Sequence, residues 1–242
     1  MNFFKTVLFI IFCAMYCMAG YSFDSPIVRR MPKPDVKLTQ GDVRVLVVLV
    51  EFSDVRFKNP DPVSQFTDYL NKEGYNEYHN IGSVRDYFIK NSMGKFRPIF
   101  DVYGPVTLPN NKEFYGDDAT PVLNIALDTL FSQNKIVFSQ YDEDFDEVID
   151  FLIVFYAGID GREFMLTNTL SSHASWLGNR LDVLSGKKMK DGLFVNRHAF
   201  VNEISGSAYK HDKSTSILTE VGLTIHEFSH VLGLPDLYVG RG

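Results

Sequence analysis

The run His226-Glu227-Phe228-Ser229-His230 brings together two imidazoles and a carboxylate that could act on one metal ion. On a helix, side chains four apart lie on one face, so His226 and His230 can offer two nitrogens to a single zinc ion. Glu227 is rotated by about 100° from His226. Its carboxylate can stand beside the metal and take a proton from water without being a ligand. Zinc lowers the pKa of a bound water to about 7, which makes a carboxylate base sufficient. Gly233 then lets the chain turn sharply, and Asp236 follows where a third ligand could return, as in HExxHxxGxxH or HExxHxxGxxD. The alternative for Asp236 is a structural turn anchor that orients a histidine.

Such a site needs a helix and a sheet to hold it. Leu218, Val221, Leu223, Ile225, Phe228, Val231 and Leu232 give Ser216–Leu232 the apolar faces of a long helix, which Gly233 stops and Pro235 keeps from continuing. Val43–Phe52 is almost continuously apolar and β-branched, the pattern of a central strand buried on both faces. Asp150–Tyr156 reads as a second buried strand, Lys95–Leu108 as a strand region broken at Gly104-Pro105, and Leu193–Ile204 as a strand of mixed polarity at a sheet edge. Helices are expected over Val63–Asn71, over Ser83–Ser92 with Ser83 as cap and Asp86 in the first turn, and over Thr120–Ser132 with Thr120 as cap. Strands alternating with helices predict an α+β or α/β layer architecture.

The chain has 242 residues, 45% of them hydrophobic and 22% charged, which is a globular composition. A net charge of −6, or −7 without Lys5 in the first 20 residues, with no basic block, argues against nucleic acid and against an anionic membrane as partner. Residues 1–19 read as a secretory signal: Lys5, the uncharged apolar run Val7–Cys17, then cleavage after Ala19. The expected location is secreted, periplasmic or cell-surface. Both cysteines, Cys13 and Cys17, fall in that segment, so the mature chain would carry neither thiol nor disulfide. Residues 20–41, with Pro26, Pro32, Pro34 and the pair Arg29-Arg30, read as a linker or short pro-segment, and the folded domain as 42–242.

A second group of acids is spaced like a calcium loop. Asp142, Asp144, Asp146 and Asp150 occupy positions 1, 3, 5 and 9, but Glu147 replaces the turn glycine and Ile153 the bidentate acid at position 12. The competing expectation is a solvated acidic turn before a strand. His173-Ala174-Ser175-Trp176 contains the only tryptophan and is expected to serve packing. His79, His198 and His211 have no partner at ligand spacing, and Lys187–Lys190 reads as a solvated loop.

The stretch HEFSHVLGLPDLY resembles the active-site helix and turn of the secreted immune inhibitor A-type metallopeptidases, a family of zincins. VLVVLVEFSDV (Val45–Val55), GSVRDYFIKNSM (Gly82–Met93), FDVYGPVTL (Phe100–Leu108), Tyr115-Gly116 and VFYAG (Val154–Gly158) resemble blocks of that family in the same order. The resemblance implies a zinc endopeptidase made as a secreted precursor, acting on protein or peptide substrates. It implies an α+β zincin domain with a mixed twisted sheet, in which the region near Leu193–Ile204 supplies the strand above the cleft. That family often carries a D-x-D-x-D-G calcium run at this place, from which this chain departs at Glu147, and the resemblance allows an acidic third zinc ligand beyond the HExxH turn. A zincin of this kind needs a C-terminal subdomain as the lower side of its cleft, and Gly242 follows the motif closely, so the chain is expected to be truncated. Val231, Leu234 and Leu237 would then be left uncovered. The rival functions are a non-catalytic secreted zinc-binding or interaction module, and a zinc hydrolase acting on non-peptide substrates.

Overall fold

The computed structural model describes residues 39–134, 136–166, 169–177, 186–189 and 191–236. The expected signal and almost all of the linker lie outside them, as does Leu237. Strand β1, Gly41–Glu51, runs through the middle of the fold with residues 45–50 fully buried on both faces. Helices α1 (Pro62–Asn71) and α2 (Val84–Asn91) follow, then strand β2, Phe96–Thr107. Helix α3 spans Ala119–Ser132 and strand β3 spans Leu152–Tyr156. The short strand β4 is His173–Trp176. Strands β5 (Lys187–Lys188) and β6 (Phe194–Val195) form a separate two-stranded ribbon. Strand β7 (Arg197–Asn202), helix α4 (Gly206–His211) and helix α5 (Val221–Val231) complete the order.

Five strands form one sheet in the order β2-β1-β3-β7-β4. The first four are parallel to their neighbours, and β4 is antiparallel to β7. Alternate residues of the strands feed two cores. Leu46, Val48, Val154 and Phe200 pack with α3. Val45, Val47, Ile153, Phe155 and Val201 pack with α1, α2 and the Phe228 face of α5. Helices on both faces explain why β1 is apolar at nearly every position. The fold is thus a mixed sheet between helical layers.

Ser83 caps α2 as expected: its side chain accepts from Asp86 N, and Asp86 reaches back to Ser83 N, a full capping box worth about 1 kcal/mol. Five expectations are corrected. The α3 cap is Asp118, whose carboxylate accepts from Thr120 N, so Thr120 lies inside the helix. β2 is not broken at Gly104-Pro105; it continues through a register shift opposite Val48–Val50. Gly104 makes that possible, since at φ +118° a Cβ would stand 2.6 Å from Leu49 O. The stretch Ser216–Glu220 is not helical. Thr219 N donates to Glu203 O and Ser205 N to Ile217 O, so this backbone pairs with the chain leaving β7 instead. Leu193–Ile204 is not an edge strand. Its β7 part is paired on both sides, and the edge is β4, the His/Trp segment. Lys187 and Lys188 are also strand residues, Lys187 pairing with Asp128. Among the described residues no helix is long and apolar enough to cross a membrane.

Candidate metal centre

Helix α5 carries the centre and is held at several points. Phe228 is fully buried and meets the rings of Phe88, Phe100 and Phe151 edge-on, at 5.3, 5.5 and 5.8 Å. Tyr69 and Thr224 share a buried hydroxyl hydrogen bond of 2.7 Å. Glu220 stands at the N-cap position without capping, and the first amide, Val221 N, donates to Asn80 Oδ1 at 3.3 Å instead. At the other end Gly233 adopts φ +92°. Gly233 N then donates to His230 O and Leu234 N to Ser229 O, which is a Schellman turn. Arg197 of β7 donates from Nη1 to Val231 O at 2.6 Å.

That turn shapes the site. It returns Leu234 O to His230 Nδ1 at 2.8 Å. A carbonyl only accepts, so Nδ1 carries the proton and Nε2 presents its lone pair. His230 Nε2 lies 3.1 Å from His226 Nε2, with ring centroids 4.5 Å apart. Asp236 Oδ1 lies 3.4 Å from His226 Nε2 and 3.3 Å from His230 Nε2. Atoms bound to one zinc at about 2.0–2.2 Å with tetrahedral angles stand roughly 3.3–3.5 Å apart. The donor set is two imidazoles and a carboxylate, of the kind found in catalytic zinc sites, and it fits that ion in both chemistry and spacing. Burial, then the neighbouring His230, holds the His226 pKa below its usual value, although Asp236 pushes the other way. A neutral ring is the ligating form.

Glu227 faces a different environment, being only 6% exposed. Burial pushes its pKa up to about 7; His230 works against this, Asp236 and Asp160 add to it, and Arg162 opposes it. A carboxyl balanced near neutrality suits proton transfer. His226, Glu227 and His230 also offer ligand atoms within 4.8 Å of one another, so Glu227 sits beside the donors. A cavity of about 340 Å³ opens here, walled by Tyr87, Ile225, His226, His230, Leu234 and Asp236. Val231 is fully buried, against the expectation that it is uncovered, whereas Leu234 is 54% exposed.

The acidic run is organised otherwise. Asp142, Asp144 and Asp146 do bring carboxylate oxygens within 4.8 Å of one another. Yet Asp142 accepts from Asp146 N and Glu147 N, Asp146 from Val148 N and Asp150 from Glu143 N. These three carboxylates shape a turn, while Asp144 Oδ1 is buried with no hydrogen-bond partner among the described residues. His173 stacks on Phe200 at 5.6 Å, His198 meets the same ring edge-on, and both Nδ1 atoms bond to carbonyls of Ser171 and Asn196. These two histidines are packing residues. His211 is exposed on α4, and His79 closes a short turn. A larger cavity of about 490 Å³, lined by Asp54, Lys112, Glu113 and Thr169, includes none of the converging donors.

Spacing gave no signal for Asn80, Asp160 or Arg197, which reach the helix or its acid only through the fold. Residues 35–241 match the family described as immune inhibitor A peptidase M6, catalytic domain. Immune inhibitor A of Bacillus thuringiensis subsp. alesti is 25% identical over 246 aligned residues, covering 84% of this chain and 34% of that protein. The chain therefore spans about a third of the length of the curated relative it matches.

Proposed function

Because the chain belongs to the immune inhibitor A peptidase family, we propose that it is a zinc-dependent endopeptidase of zincin architecture. His226, His230 and Asp236 hold the metal and Glu227 is the general base. The observation that carries this reading is the convergence of the two Nε2 atoms and Asp236 Oδ1 within 3.4 Å of one another. When bound, zinc supplies Lewis-acid chemistry, polarising a peptide carbonyl and acidifying water. The Glu227 carboxylate takes the proton of the attacking water and passes it to the departing amine nitrogen, so the acid ends the cycle as it began. The Leu234 carbonyl keeps the His230 ring in one tautomer and one orientation throughout. β4 lies against α5 and is the antiparallel edge of the sheet. Its outer backbone groups suit an extended peptide added as another strand. In this proposal the strand above the cleft is β4 and not the Leu193–Ile204 region.

The same proposal includes export, with the mature chain starting near Gly20 or Tyr21; N-terminal sequencing of secreted protein decides that point. Peptide hydrolysis by the chain, with and without a chelator, tests the chemistry. Hydrolysis should need metal and should fall by about 10²–10⁴ in Glu227→Gln while zinc stays bound. Chelator-resistant hydrolysis, or full activity in Glu227→Gln, would refute the reading.

A further inference from the structure

The last turn of a helix leaves carbonyls without intrahelical partners. In α5 the Schellman turn satisfies Ser229 O and His230 O, and Leu232 N serves Phe228 O. Val231 O takes the Arg197 guanidinium. Arg197 opens β7, the strand hydrogen-bonded to β3 on one side and β4 on the other, where it sits opposite Trp176. Its backbone is therefore fixed by the sheet. Burial disfavours its charged form. A charge is thus kept in a costly place, at the negative end of the helix dipole.

We propose that Arg197 is a positioning residue for the metal centre. It fixes the C-terminal end of α5 to the sheet and so fixes the turn beyond it. That turn carries Leu234 O to His230 Nδ1 and Asp236 Oδ1 to both Nε2 atoms. Small displacements there separate donors that must meet on one ion. The proposal rests on the zinc reading for its consequence, but the clamp itself is a property of the metal-free chain.

Two measurements on Arg197→Met and Arg197→Lys test it. In metal-free protein, hydrogen–deuterium exchange over residues 228–234 should rise by about tenfold in Arg197→Met, with 221–227 little changed. Zinc affinity, by chelator competition on folded protein, should fall by about 10–100-fold, the range for groups that orient ligands. Arg197→Lys keeps the charge with a simpler donor and should fall between the two on both measurements. A lower melting temperature with zinc affinity within about twofold of the parent would make Arg197 an ordinary staple of the fold and overturn the proposal. If Arg197→Met does not fold, Arg197→Lys decides; if neither folds, the proposal is wrong. A parent chain with no zinc affinity would sink the zinc reading, while the exchange data would still judge the clamp.

Discussion

Among the described residues, two groups of side chains bring possible ligand atoms within 4.8 Å of one another, and they are built in different ways. In the acidic run Asp142 and Asp146 accept from backbone amides of the same loop, while Asp144 Oδ1 is buried without a hydrogen-bond partner. On α5 the backbone is satisfied by the helix, the Schellman turn and Arg197, so the side chains are left to face one another. The His230 ring even has its second nitrogen anchored on Leu234 O, which leaves Nε2 aimed at its neighbours. The two groups differ in how far the local backbone has already claimed their side-chain oxygens and nitrogens.

That contrast can be broken most decisively at the histidines. His226→Ala or His230→Ala should abolish tight zinc binding, and metal analysis of purified protein will show it; retention of about one zinc per chain would end the distinction between the two groups. Asp236→Ala comes next. As a ligand it should weaken zinc as much as loss of a histidine, whereas a fall of only about 10–100-fold in chelator competition would make it a turn anchor.

His198 sharpens the contrast from the side of a histidine buried in the sheet. Burial lowers its pKa to about 4, the Asn196 carbonyl resists this, and His173 adds to the lowering. A depressed base contributes stability that is complete above its unfolded pKa near 6.5 and is lost as pH falls through the folded value. The shift corresponds to roughly 3 kcal/mol between about pH 6.5 and pH 4. Urea unfolding of metal-free protein should show that loss in the parent and a flatter profile in His198→Asn; parallel profiles would contradict it. The smallest effect belongs to the acidic turn. Asp142→Ala should cost about 1–3 kcal/mol, because two amides lose their acceptor, with zinc affinity unchanged. Added calcium should not shift the melting curve of the parent, and a clear upward shift would restore the metal reading of that loop.

The difference between helix and sheet also explains what the sequence could tell. The end of α5 was legible because its candidate donors, its stop and its turn lie within a few consecutive residues, from His226 to Asp236. β1 was legible because burial on both faces leaves little room for polar residues. The position of β7 was not, because its polarity does not mean exposure. Arg197 is committed to a helix end, His198 to the His173 ring of β4, and Asn202 to Ser172. Each polar residue has a partner distant in sequence or on a neighbouring strand, and such partners leave no periodic trace. The α3 cap was misplaced by two residues for a simpler reason, since Asp118 and Thr120 are both good caps and only the backbone chooses between them.

The Schellman turn makes the donor set unusually portable. His226, His230, Leu234 and Asp236 belong to one unbroken stretch, so the metal-gripping geometry could be lifted onto another scaffold as a single graft. The rest could not travel with it. Tyr69, Asn80 and Arg197 reach the helix from 155, 141 and 34 residues away. On the proposed reading the grip on the ion is written locally, while its alignment with a substrate belongs to the whole domain. A transplanted helix and turn would then inherit the proposed chelate and leave the proposed peptidase chemistry behind.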